Sequence, residues 1–421
     1  MSKATRVDQE SIEIGRRARL IRRRRGLSLE VVAGLAGITK GYLSMLELGE
    51  RPFLRRKLIE DLAKALGCSV TDLTGQSYPP VNRDTADALA AVPGIQAALH
   101  NYGPDDVPDV RPRPLDELVA WARAANDHRD QNRLSLAGRD IGTLLTELRV
   151  YVSTAGSADR DRAVVALVEA CAVAGPVAHV SAGNIDLSAA AAGYCYDLAC
   201  RYDNPGLIGF SRWFWAGNLM LLGAHDRART VVSTGIDEIT PAVRLGAGDT
   251  LPAEMLGMLH GRNAWIAARA RRGDEARAHL DEAGTIADRI GERNGMRRHF
   301  GPTNVRLWRL TVGVELEEGG RAYEEVTRTP LDVEALGSRE RSSTMQLDLA
   351  HALVQGGPDR DAEAIRHLDT ADRLAPQRIR MNPIARELVT ALSQRARRRV
   401  WELDSLCNRF GLGGESSRRA T

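Results

Sequence analysis

Residues 29–47, LEVVAGLAGITKGYLSMLE, constrain this chain more than any other stretch. Two short apolar-periodic runs meet at Gly37, and each spacing has a steric reason. Ala33 is small where two helices must cross closely, Gly37 permits a left-handed turn, and Ile38, Leu43 and Leu46 give the second run an inner face. Ser28 stands where it can cap the first helix, with Glu30 at the positive end of its dipole, and Thr39 stands where it can cap the second. Thr39, Lys40, Gly41, Ser44 and Met45 are left facing outward at the start of the second helix. A helix presented that way can reach base edges in a major groove. The flanking periodicity completes a five-helix unit. It predicts a first helix over about 12–25, a fourth with Leu58, Ile59, Leu62 and Leu66 on one face, and a short fifth over 69–75.

Charge agrees with a polyanion partner for this unit. The chain carries a formal +3 overall, yet residues 1–80 hold fifteen Lys and Arg against nine Asp and Glu, and all four lysines (Lys3, Lys40, Lys57, Lys64). The remainder is therefore slightly acidic, which suggests a basic module joined to a body with another task.

The unit resembles the XRE family of helix-turn-helix regulators, the large group that includes many phage repressors. The resemblance spans residues 12–75 and rests on IGRRARLIRRRRGLS, the Ala33/Gly37/Leu43 spacing, LELGERP and DLAKALGCSVTDL, in family order. It implies double-stranded DNA as partner, with Lys40, Gly41, Ser44 and Met45 approaching bases and Thr39 touching backbone or base. Ser28, Arg51, Arg55 and Arg56 would hold phosphates, and Arg22 would pair with Glu47 as an internal brace. A homodimer reading an inverted repeat is the implied assembly. Gly41 and Met45 depart from the Gln or Asn of many relatives, which shifts specificity toward Lys40, thymine methyl groups and DNA shape. The other readings of such a unit are a structural tri-helical module and a scaffold or antitoxin-like surface for protein contacts.

Beyond GQSYPP (residues 75–80) the chain is almost wholly helical in character, with few strand-forming runs. The expected organisation is a first domain over 1–75, a linker and connecting helix over 76–114, a helical-hairpin body over 115–410 and a disordered tail over 411–421. Hairpin grammar recurs at Gly223 with Ala228, Gly273 with Ala278 and Gly357 with Ala362, which resembles tetratricopeptide repeats at a longer, irregular spacing. The fold class is all-α. Residues 163–183 are apolar enough to resemble a membrane span, but Glu169, Pro176 and His179 interrupt them, and a buried helical hairpin is expected instead.

RRHFGPTNVRLWRL and ELEEGGRAYEEV resemble the actinobacterial regulators that join an XRE domain to such repeats. The resemblance implies a peptide or small-molecule effector, or dimerisation, for the body. Arg297, Arg298, His299, Thr303 and Asn304 form the candidate effector site, since Pro302 reads as a helix start whose amides, with two arginines, could hold a carboxylate or phosphate. An ordinary capped loop is the alternative there. Trp215 and Trp265 each stand eight residues before a turn glycine, and Arg212 and Arg262 eleven before; packing is the preferred reading of both tryptophans. Five scattered cysteines without a CxxC pair point to reduced thiols in the cytoplasm, with no zinc site. No phosphate-binding loop, HExxH, GxSxG or dinucleotide-binding glycine turn is present, so no catalytic residue, metal or cofactor is assigned.

Overall fold

The computed structural model describes residues 9–24, 27–51, 53, 56–66, 73, 83–103, 106–246, 248–329, 331–396 and 400–412. The expected fifth helix apart from Leu73, the segment 76–80, Arg55, the side chain of Arg56 and the tail beyond 412 lie outside these residues. The protein is all-α, without a strand among the described residues, and divides into two units, Met1–Pro80 and Val81–Thr421.

The first unit holds α1 (Gln9–Arg24), α2 (Leu29–Leu35), α3 (Lys40–Glu47) and α4 (Arg56–Leu66). Ile14 and Ala18 from α1, Val32 and Ala33 from α2, Leu43 from α3, and Leu62 and Leu66 from α4 form its core, joined by Leu73. Gly15 governs the closest approach, because a Cβ there would lie 2.0 Å from the Leu46 carbonyl oxygen. The backbones of α1 and α3 therefore touch, a close approach additional to the α2–α3 crossing expected at Ala33.

The second unit is a helical-hairpin superhelix. It begins with α5 (Arg83–Ala90) and α6 (Val92–His100). These helices lie within the stretch expected to hold a linker and connecting helix, and their Ala88, Ile95 and Ala98 are buried in the main core of the unit. There follow α7 (Leu115–Asp130), α8 (Leu134–Gly138), α9 (Ile141–Thr154), α10 (Ser157–Ala182) and α11 (Ile185–Arg201). Next come α12 (Pro205–Leu221), α13 (His225–Ile239), α14 (Leu251–Arg269), α15 (Gly273–Ile290), α16 (Pro302–Glu315) and α17 (Gly319–Arg328). The unit ends with α18 (Arg339–Gln355), α19 (Asp361–Leu374), α20 (Pro376–Met381), α21 (Pro383–Arg395) and α22 (Trp401–Arg409). A second core runs from Leu307 to Phe410.

The expected buried hairpin over 163–183 is instead one continuous helix, α10, with Pro176 inside it. Pro176 follows a glycine, so the residue before it has no Cβ to clash with the ring in the helical conformation. The same Gly175 admits Phe214, whose ring would lie 2.5 Å from a Cβ placed there. Within Ser157–Ser181, which is long and apolar enough to cross a membrane, the most apolar window is 78% buried inside the protein. This is a core helix.

Three hairpin turns share one rule whose register differs from the glycine pattern. The residues with positive φ that open them are Gly223, Arg271 and Glu317. Each is followed by the same long bond, from the Ala224, Arg272 and Glu318 amides to the Leu219, Ala267 and Gly313 carbonyls at 2.8–2.9 Å. Five residues after each opening residue stands a buried alanine: Ala228, Ala276 and Ala322. The expected Ala278 is exposed, since the left-handed position is Arg271 and not Gly273. Ala362 is exposed too, because the turn at Pro358–Arg360 follows Gly357 and moves the buried alanine to Ala364. Cys171, Cys195, Cys200 and Cys407 are free thiols.

Candidate nucleic-acid interface

Helices α2 and α3 meet at 105°, within the roughly 90–120° of helix-turn-helix pairs. Gly37 makes the turn at φ +67°, and the Ile38 amide donates to the Ala33 carbonyl at 2.9 Å. The Oγ of Ser28 accepts from the Val31 amide and the Oγ1 of Thr39 from the Tyr42 amide, each at 3.2 Å. Each hydroxyl thus satisfies one of the amides a helix start leaves free.

Arg22 and Glu47 fix the unit from inside. Arg22 Nε donates to Glu47 Oε1 and Arg22 Nη2 to Glu47 Oε2, both at 2.7 Å, while Nη1 donates to the Leu27 carbonyl at 3.1 Å. The Glu47 side chain is 4% exposed and that of Arg22 11%. The bond to Glu47 raises the guanidinium pKa against the opposing effect of burial. A bidentate fork of this kind sets orientation as well as contributing energy, and here it ties α1 to the end of α3.

The outward face of α3 is less uniform than its spacing suggests. Thr39, Lys40 and Gly41 are exposed, whereas Ser44 and Met45 are half-buried. Lys40 pairs with Glu30 across the turn; both side chains are more than half exposed, so the pair is cheap to open. Ser28 and Arg51 are exposed as well. Leu48, the C-cap residue that ends α3, is 53% exposed, and Val31 and Leu35 on α2 are 48% and 67% exposed. These apolar residues are not among the outward-facing positions expected from the sequence.

In the second unit the candidate effector residues do not form one open loop. Pro302 does begin α16, but Oε1 of Glu292 already accepts from the Thr303 amide at 2.8 Å. A carboxylate of the chain itself thus occupies one of the free amides at the helix start where a ligand is expected. Arg297 is tied to Asp127 and approaches Glu169 at 3.8 Å. His299 Nε2 lies 2.7 Å from Asp130 Oδ2, and Ser338 Oγ donates to Asp130 Oδ1 at 2.7 Å. Asn304 is fully buried and donates to the Arg298 carbonyl at 3.3 Å. Met296, Arg297 and His299 all adopt positive φ, strain that this web of ties holds in place. Arg298 alone of the set has a buried guanidinium, 3% exposed over the residue, with no ion-pair partner among the described residues.

Arg212 and Arg262, similar in their spacing, part ways. Arg212 forms a fork with Glu238 at 3.0 and 2.7 Å, while Arg262 meets no carboxylate within ion-pair distance among the described residues. Trp215 and Trp265 pack against the main core, and Trp265 Nε1 donates to Glu315 Oε1 at 3.0 Å.

No curated protein matches the sequence. Among solved structures the chain is similar to the crystal structure of Bacillus thuringiensis PlcR in complex with the peptide PapR7 and DNA, at 13% identity and a TM-score of 0.27, over 66% of this chain and 95% of that one. Residues 13–74, which hold the caps, the Arg22–Glu47 brace and the outward start of α3, match the family model of a helix-turn-helix domain.

Proposed function

We propose that the chain is a sequence-specific, DNA-binding transcriptional regulator of the XRE type that its first unit resembles. The observation that carries the reading is the start of α3. Thr39 caps it, the exposed Lys40 and Gly41 lead it, and the Arg22–Glu47 fork braces its far end. Two copies would place their α3 helices in successive major grooves of an inverted repeat, about one helical turn apart. Ser28 and the arginines Arg51, Arg55 and Arg56 would hold phosphates, and the second unit would bind a peptide or small-molecule effector that changes the availability of the two heads. The work is done in the cytoplasm, without catalysis or cofactor.

The test is a mobility-shift titration with the DNA upstream of the chain's own gene. Lys40→Ala combined with Arg51→Ala should weaken binding by at least about tenfold, and binding should fall steeply with salt because the counterions it releases gain less entropy in a saltier solution. Affinity unchanged in the double variant overturns the reading. One observation favours a second reading: the exposed Val31 and Leu35 on α2 and Leu48 at the end of α3 suit a protein partner. A pulldown that retains protein and no DNA would establish that scaffold or antitoxin-like role.

A further inference from the structure

The second unit buries more positive charge than its own carboxylates neutralise. Near the end of α7, Arg129 pairs with Glu340, which also takes Arg378 at 2.9 Å. Asp130 is occupied by His299 and Ser338. Three further arginines bear electrostatically on Glu340 or on one another: Arg298, Arg341 and Arg262. None of the three has a carboxylate within ion-pair distance among the described residues. Nε of Arg298 and Nε of Arg262 are buried without a hydrogen-bond acceptor among those residues.

Trp213 holds both guanidiniums. Arg262 lies 4.6 Å and Arg298 5.0 Å from its ring centroid. Contact with an indole offsets part of the cost of burying a cation, but it leaves the N–H donors unmatched. Burial, reinforced by Arg341, lowers the Arg262 pKa to about 10, and burial with Arg129 lowers that of Arg298 well below its ordinary value. A guanidinium stays charged under such conditions and demands an anion. The planar fork fits the two oxygens of a carboxylate or the face of a phosphate, and charge-assisted bonds of this kind are the strong ones.

We infer that Arg262, Arg298 and Arg341 form a site for the carboxylate or phosphate of an organic ligand, seated against Trp213. The site is separate from the start of α16, which Glu292 fills. As the seat of regulation it rests on the effector control proposed above; as a binding site it stands alone, and the experiment keeps the two apart.

The full chain, free of DNA, is titrated calorimetrically with inorganic pyrophosphate in one arm and succinate in the other, each against chloride at matched ionic strength. At least one ion should bind saturably, and Arg262→Gln should weaken it by about tenfold, the loss of one charge-assisted bond. Arg271→Gln, an exposed arginine paired with Glu317, should leave it unchanged. Saturation by pyrophosphate alone assigns a phosphate ligand and by succinate alone a carboxylate. Saturation by neither, or binding indifferent to Arg262→Gln, overturns the site. Arg341→Gln gives the same reading should the first variant fail to fold. Operator affinity is then measured with and without the ion. Binding that leaves it unchanged upholds the site and ends its regulatory role, whereas an intact operator affinity in a chain that binds neither ion ends the site and spares the DNA reading.

Discussion

Both units bury arginine, and they treat it in opposite ways. In the first, Arg22 meets Glu47 in a one-to-one fork through two nitrogens, and its third nitrogen donates to a backbone carbonyl. In the second, Arg298 and Arg262 lie against Trp213 with no carboxylate in reach among the described residues. A matched buried pair fixes geometry and asks for nothing more. An unmatched buried cation costs stability in the free protein, and that cost is recovered when an anion arrives. The first arrangement suits a rigid reading head and the second a receptor.

The largest expected effect tests the matched side. Arg22→Met leaves Glu47 charged and buried, a loss of about 3 kcal/mol for breaking one partner of such a pair. Scanning calorimetry should show the transition of the first unit falling while that of the second holds. An equal fall in Glu47→Met, and recovery in the variant with both changes, would show that the pair and not the packing carries the loss.

The second effect concerns groups the second unit buries in neutral form. Burial and the neighbouring His279 hold His260 at about pKa 4. It is neutral in the folded chain where the unfolded chain binds a proton, so its contribution is present above about pH 6.5 and lost as pH falls toward 4. Asp348 runs the other way. Burial raises it to about 7, against the bond from Thr311 at 2.5 Å, so its contribution is present below about pH 4 and lost as pH rises through 7. Each changes stability by at most about 1.4 kcal/mol per pH unit. Urea midpoints from about pH 4 to 8 should show Asp348→Asn gaining on the native chain toward the alkaline end and His260→Gln gaining toward the acid end. A constant difference across the range would remove either group from the titration.

On the unmatched side, Arg298→Met should raise stability in buffer without oxyanions by about 1 kcal/mol, since an apolar chain of similar volume replaces an uncompensated charge. The cation contact with Trp213 is lost in exchange, which keeps the gain small. A loss as large as that in Arg22→Met would mean that the two arginines are paired alike, and the contrast between the units would collapse.

The sequence disclosed these regions unequally, for physical reasons. Caps, turn and inner face of α2 and α3 follow from residues within about ten positions of one another, so Ser28, Gly37, Thr39 and Leu43 were legible. Gly15 was not, because its partner is a carbonyl on another helix. Hairpin grammar was legible as a pattern and slipped by two residues where Arg271, and not Gly273, takes the left-handed position that Gly223 takes elsewhere. The start of α16 could be read from Pro302, while its occupation by Glu292 depends on how the preceding loop folds back. The surplus of arginine over carboxylate at Trp213 draws on α7, α14, α18 and the loop before α16. No window of sequence contains it.

The smallest effect sharpens the first unit's side of the comparison. Gly41 is exposed on α3, and a Cβ built there meets nothing within 4 Å; Gly34 on α2 is alike in both respects. Alanine in a helix is favoured over glycine by up to about 1 kcal/mol, so both Gly41→Ala and Gly34→Ala should stabilise the unit slightly. Only one of these glycines leads the helix proposed to enter the groove. If the backbone of α3 approaches base edges at Gly41, the added methyl group must displace it, and operator affinity in Gly41→Ala should fall while that of Gly34→Ala stays level. A gain in stability with a loss of affinity has no explanation inside the free protein, where the methyl group touches nothing, so the combination locates the DNA. Level affinity in both variants would instead move the contact surface away from the start of α3, toward the exposed Val31, Leu35 and Leu48 and the protein partner they suit.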